Sequence, residues 1–205
     1  MLQLTGAAAI AGLAGCTGTG DGAGSEATPT EGEHHDETGR EHHDEAGTDE
    51  NGHDHDDGAP QEPSATATVS MRTEGSGQHY APHVVWIEPG GTVTWALESG
   101  SHDVTAYHPD NDGPLRIPDA ADSWNSELLS DEGATFERTF EMEGVYDYFC
   151  TPHEAVGMVG TVIVGEPDAH GQPGLEAPDS SLPEGARFGL ADLNGTVSEA
   201  LEDSH

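Results

Sequence analysis

From Phe149 to Met158 the chain reads Phe-Cys-Thr-Pro-His-Glu-Ala-Val-Gly-Met, a C-x2-H-x4-M pattern. A thiolate, an imidazole and a thioether thus fall within nine residues, and each is a soft or borderline metal ligand. One short run supplies three donors, so a fold that uses them must bring a fourth from elsewhere in the chain. Two His, one Cys and a long axial Met form the trigonal set of copper sites that pass single electrons. Zinc would take the Cys and the His but has little use for a thioether. Each residue alone has a plainer role, since a lone buried Cys is a small hydrophobe and a nearby Met is core filler. The combination points to a metal, because Pro152 and Gly157 shape the loop that carries it.

Charge excludes one class of partner. Forty acidic residues stand against five basic ones in 205, a formal charge of −35. The basic residues are Arg40, Arg72, Arg116, Arg138 and Arg187, and there is no Lys. A phosphate backbone would repel such a chain, so nucleic acid is excluded. High charge opposes folding at low ionic strength. Molar salt shortens the Debye length to about 3 Å and screens the repulsion. A salt-loving, archaeal source is expected.

The chain divides by composition into four stretches. Residues 1–16 read as a targeting segment of the lipoprotein type. Ala7–Ala14 is apolar and runs into Leu13-Ala14-Gly15-Cys16, which resembles a lipobox, where the Cys becomes a lipid-bearing N-terminus. The stretch is too short to span a bilayer. No positive charge precedes it, so an upstream basic region, of twin-Arg type, is expected. These features place the chain, exported and lipid-anchored through Cys16, on the outer face of the cytoplasmic membrane. Residues 17–64 lack large apolar side chains and read as a disordered, acidic, His-rich tether. His34, His35, His42, His43, His53 and His55 within it are auxiliary metal-binding candidates.

Residues 65–166 carry short alternating segments separated by Gly and Pro. Strands are predicted over Ala65–Arg72, Tyr80–Ile87, Thr92–Leu97, Ser101–Tyr107, Gly133–Met142, Gly144–Cys150 and Val159–Val164. Pro89-Gly90-Gly91 reads as a turn, and a short helix is predicted near Ala121–Leu129. Tyr146, Tyr148 and Cys150 share one face of their strand. Seven or eight strands over this length predict an all-β, Greek-key sandwich. Residues 167–205 form an acidic, Gly- and Pro-rich tail. Leu190, Leu193, Val197 and Leu201 stand there at helical spacing, which predicts a short amphipathic helix packed on the domain, weakened by Gly189 and Gly195.

Four His residues compete to be the missing ligand: His79, His83, His102 and His108. His102 lies at a loop-to-strand boundary, from which a side chain can point into the sandwich end that holds the 150–158 loop. His108 leaves that strand at the far end, and His79 and His83 precede the core strands.

His102, Tyr148-Phe149-Cys150-Thr151-Pro152-His153 and Gly157-Met158-Val159-Gly160 together resemble the plastocyanin family of cupredoxins, and within it the membrane-anchored halocyanins of haloarchaea. The resemblance covers about residues 66–166. It implies one type 1 copper ion held by His102, Cys150, His153 and Met158. It implies that His153 is the ligand at the solvent edge, ringed by an apolar patch to which Pro152, Ala155 and Val156 contribute. It offers Phe149, beside the Cys, as a second point of electron entry. Asp103 stands where plastocyanins usually carry Asn, a residue that pins the two ligand loops together. The expected function is one-electron transfer between respiratory-chain partners, membrane redox proteins of the cytochrome or terminal-oxidase type. The carrier is expected to be a monomer that meets them in brief contacts, and not an enzyme. The His-rich tract keeps copper delivery in view as an alternative. An oxidoreductase would need a further His set, and none stands out in residues 65–165.

Overall fold

Strand β3 organises the domain. It runs unbroken for 14 residues, Val84–Leu97, and changes neighbours midway. Its first part, Val84–Ile87, pairs in parallel with β7 (Val159–Val164). Its second part pairs in parallel with β1 (Ser64–Glu74) and antiparallel with β5 (Thr135–Phe140). A strand shared in this way joins two sheet halves face to face. The computed structural model describes residues 60–203. Cys16 and the six His of the acidic tract lie outside them.

The remaining elements are β2 (Gly77–Ala81), β4 (Thr105–Ala106), β6 (Gly144–Phe149) and α1 (Glu184–Asp203). Strand order is β2-β1-β3-β7-β6-β4, with β5 on β3. The fold is the all-β sandwich that the alternation predicts, with a helix added at its C-terminal end.

Several local expectations need correction, among them the strand predicted over Ser101–Tyr107, of which only Thr105–Ala106 is strand. Pro89-Gly90-Gly91 does not reverse the chain. Gly90 has φ +84, and the β1–β3 register slips between Ser64 and Thr66, so the residues form an irregularity within one strand. Such a bulge bends a strand without ending it. Tyr80 and Val84–Ile87 fall on separate strands, β2 and β3. The stretch Ala121–Leu129 is not helical. Its backbone bonds across to the neighbouring segment, as in Ala106 N–H to the Trp124 carbonyl (3.0 Å) and Leu129 N–H to the His102 carbonyl (2.9 Å). Trp124 is thereby seated in the core under the Arg138 guanidinium, 4.5 Å from the ring centre.

Strands β6 and β7 are buried on both faces. Tyr146, Tyr148 and Cys150, with Val162 and Val164, face the aromatic interior between the sheet halves. Val145, Phe149, Val159 and Ile163 face outward and are covered by α1 through Ala186, Leu190, Leu193, Val197 and Leu201. The helix is 20 residues long, not short, because its partner is the whole outer face of two strands. Leu190 and Val197 are fully buried, and burial of such side chains contributes roughly 2 kcal/mol each.

A buried ion pair locks the tail to this face. Arg116 Nε donates to Asp147 Oδ2 at 2.8 Å. Its other nitrogens donate to the carbonyls of Glu176 and Gly174 and to Asn194 Oδ1 on α1. Thr161 Oγ1 donates to the second Asp147 oxygen at 2.6 Å. Burial pushes the Asp147 carboxyl up to about 6, although Arg116 and Thr161 pull it down.

Candidate metal centre

The C-x2-H-x4-M run is the connection from β6 to β7. Residues Thr151–Val156 form a 3-10 turn that opens at Pro152 and ends at Gly157, whose φ of +89 favours glycine. The loop is closed on itself. Cys150 N–H donates to the Met158 carbonyl (3.1 Å), His153 N–H to the Cys150 carbonyl (2.9 Å) and Met158 N–H to the His153 carbonyl (3.2 Å). Parity along β6 turns Cys150 inward, and this hydrogen bonding brings His153 back over it.

His102 arrives from the other side. It sits just before β4, bridged to Leu129. His102 Nδ1 lies 3.6 Å from Cys150 Sγ and 3.1 Å from His153 Nδ1, and His153 Nδ1 lies 3.3 Å from the sulfur. A triangle with sides of 3.1, 3.3 and 3.6 Å has its centre about 1.9 Å from each corner, close to the roughly 2.0 Å of a metal–imidazole bond. Three donor atoms converging this closely on one point fit a metal ion. The soft sulfur and the fully buried thioether residue Met158, bonded through its backbone to Cys150 and His153, fit copper in particular. Among the described residues this is the one cluster of three such ligand-bearing side chains.

The other three His candidates are not members of the triangle. His79 and His83 stack on each other at 6.3 Å, and His108 accepts from Asp110 N–H at the start of the 109–111 turn.

Support around the triangle is unequal. The far nitrogen of His102, Nε2, meets Thr73 Oγ1 at 3.1 Å. An Nε2–H donated there leaves the Nδ1 lone pair bare toward the centre. Thr73 itself is held by Ser99, which accepts from its N–H at 3.0 Å. Neither residue stands out in the sequence. Thr73 is 29 positions from its partner, on another strand, and threonine serves many plain roles in strands. Asp103 accepts from Thr151 N–H through Oδ1 at 2.6 Å, and its own carbonyl accepts from Tyr80 Oη at 2.6 Å. The pin between ligand loops therefore needs only an acceptor, which a carboxylate supplies.

Burial sets the electrostatics. It pushes the Cys150 thiol up to about 12, against the pull of the Asp103 and His153 backbone N–H groups. It holds His102 below its ordinary 6.5, with His153 adding to the effect. Without metal, the sulfur keeps its proton at neutral pH and His102 stays neutral. Metal binding must displace the thiol proton.

His102 and Cys150 are fully buried, whereas His153 is half-buried. Around it Pro152 and Ala155 are exposed, and Val156 is 65% exposed. Phe149 is nearly buried, with its ring 4.4 Å from that of Tyr107. It lines an open cleft with Asp110, Asp112, Glu154 and Asp179. Tyr107 Oη donates to Glu154 there at 3.0 Å.

A β-sandwich carrying one buried His2Cys triangle at the end of two strands is the architecture of small copper proteins. Residues 67–165 match the family model described as copper binding proteins, plastocyanin/azurin family. The chain is 32% identical over 103 residues to plastocyanin from Scenedesmus fuscus, which spans 47% of this chain and 97% of that protein. It is 37% identical over 91 residues to halocyanin from Natronomonas pharaonis, covering 43% of this chain and half of that relative's length. The crystal structure of pseudoazurin from Methylobacterium extorquens has the same fold, with a TM-score of 0.51 at 24% identity, over 64% of this chain and 98% of that one. The chain belongs to the plastocyanin/azurin family of copper binding proteins.

Proposed function

We propose that this chain is a one-electron carrier with a type 1 copper centre held by His102, Cys150, His153 and Met158. The observation that carries it is the triangle of two Nδ1 atoms and one Sγ, closed to 3.1–3.6 Å with a single corner reaching the surface. Bound there, copper supplies a Cu(II)/Cu(I) couple. The chain's own part is to keep the donors in place as charge changes. Thr73 and Leu129 fix His102, the Met158 carbonyl fixes the Cys150 backbone, and Asp103 ties the two loops. Two buried donors deny water a place, and His153 offers the route out.

Partner contact falls on the apolar rim of Pro152, Ala155 and Val156, in a small interface of under about 1,200 Å². We read the partner as a membrane redox protein of the cytochrome or terminal-oxidase type. We place the chain outside the cytoplasmic membrane, held by lipid on Cys16, with the acidic tract as tether. The support for both statements is the lipobox-like Leu13–Cys16 and the composition of residues 17–64.

The test is spectroscopic and electrochemical. Copper-loaded protein is expected to show an intense sulfur-to-copper absorption near the red end of the visible range and a reversible one-electron wave. Cys150→Ser should lose the band. A variant that keeps it, or turnover of nitrite or oxygen by the isolated protein, would contradict the carrier reading. Mass analysis of membrane-extracted protein, against Cys16→Ser, tests the anchor.

A further inference from the structure

The first turn of α1 lies on the metal-binding loop itself. A Cβ built on Gly185 would stand 2.5 Å from the Ala155 carbonyl oxygen, 2.8 Å from the Gly157 nitrogen and 2.9 Å from the Val156 carbonyl carbon. All three are backbone atoms, so no side-chain rotation relieves the clash. From the other side, a Cβ on Gly157 would meet the Gly185 carbonyl oxygen at 3.0 Å. One turn further along, a Cβ on Gly189 would stand 2.7 Å from Val159 Cγ2. Gly195, in the same helix, has nothing within 4 Å of such an atom. Gly disfavours a helix; at 185 it is present because two backbones meet, and at 189 because the helix packs against the Val159 side chain.

The residues touched are those that join His153 to Met158. Gly157 N–H and Met158 N–H both turn back onto the 153–154 carbonyls. Displacing 155–157 therefore moves the path between two of the metal's ligands. The helix is a firm support, because Ala186 and Leu190 are fully buried in the cluster that holds Phe149 and Val159, which flank the loop.

We propose that α1, through the backbone contact of Gly185 with residues 155–157, is a positioning element of the metal centre that sets where His153 and Met158 stand relative to Cys150. The inference rests on the copper reading above. It gives the C-terminal helix a part in the site, beyond covering the outer face of β6 and β7.

Three alanine variants test it, read in both metal-free and copper-loaded protein. Gly185→Ala is expected to keep the helix signal in circular dichroism but to speed amide hydrogen exchange at Gly157 and Met158 in the metal-free protein. Its copper affinity should fall about tenfold, in the range seen when groups supporting a metal ligand are lost. Its copper EPR and visible band ratio should shift. Gly189→Ala should move the same readouts less, since Val159 Cγ2 is a side-chain atom that can yield. Gly195→Ala should leave them at parent values. If Gly185→Ala fails to fold, the ordering of Gly189→Ala over Gly195→Ala decides the matter. Exchange, affinity and spectra that are the same in all folded variants and the parent would overturn the proposal. A parent that takes no copper would sink the copper reading instead, and exchange at Gly157 and Met158 would still decide whether the helix holds the loop.

Discussion

The two faces of β6 and β7 do different work with the same backbone. The inner face ends in Cys150, within an aromatic interior of Tyr146, Tyr148 and Trp95. The outer face is closed by a helix and locked by the Arg116–Asp147 pair. Alternation along a strand separates the two sets of side chains by one residue. Changes on the outer face are therefore expected to alter stability, and changes at the inner end to alter the metal centre. The exception is the first turn of α1, where the outer layer reaches round to the loop.

The largest effect is expected from the ion pair. Arg116→Ala leaves Asp147 buried without its cation and should cost about 3–5 kcal/mol in denaturant unfolding. The absorption of the copper-loaded protein that still folds should be unchanged. A large spectral shift would break the division between faces. Leu201→Ala, at the helix end remote in sequence from Gly185, should cost about 2–5 kcal/mol, again with an unchanged spectrum.

The inner end should behave in the opposite way. Thr73→Val removes the partner of His102 Nε2 and should weaken copper binding about 10–100-fold, with Thr73→Ser restoring most of it. Equal affinities in both variants would remove Thr73 from the account.

Metal removal sharpens the contrast through pH. His102 has a folded pKa below 6.5, so its contribution to stability is present above that pH and is lost as pH falls toward the folded value. The Cys150 thiol is raised from 9.0 to about 12, so its contribution is full below 9 and lost as pH rises toward 12. These two groups together favour the metal-free fold most between these limits. Copper occupies both groups and should flatten both limbs, as melting scans across pH would reveal. The smallest effect is expected from Asp103→Asn. The amide keeps an oxygen for Thr151 N–H, and stability should move less than in any of the variants above.

Legibility in the sequence followed distance along the chain. Cys150, His153 and Met158 were readable because their ligand spacing is set inside one loop. His102 was readable from its place at a strand boundary. Thr73 was not, because its role exists only once β1 lies beside His102. The sandwich was readable from alternation, but Pro89-Gly90-Gly91 looked like a turn because the same residues build turns and bulges. Gly189 looked like a simple weakness in a helix, and only the position of Val159 explains it. The length of α1 was hidden for a related reason. Its apolar stripe was visible, but its partner, the outer face of two strands, emerges only from the sheet order.

The claim beneath all of this is that His102, Cys150 and His153 share one copper ion. X-ray absorption at the copper edge of the fully loaded protein tests it most directly. The account predicts one short sulfur neighbour and two imidazole nitrogens per copper, with the sulfur lost in Cys150→Ser. A shell of nitrogen and oxygen alone in the parent, unchanged by that substitution, would contradict it.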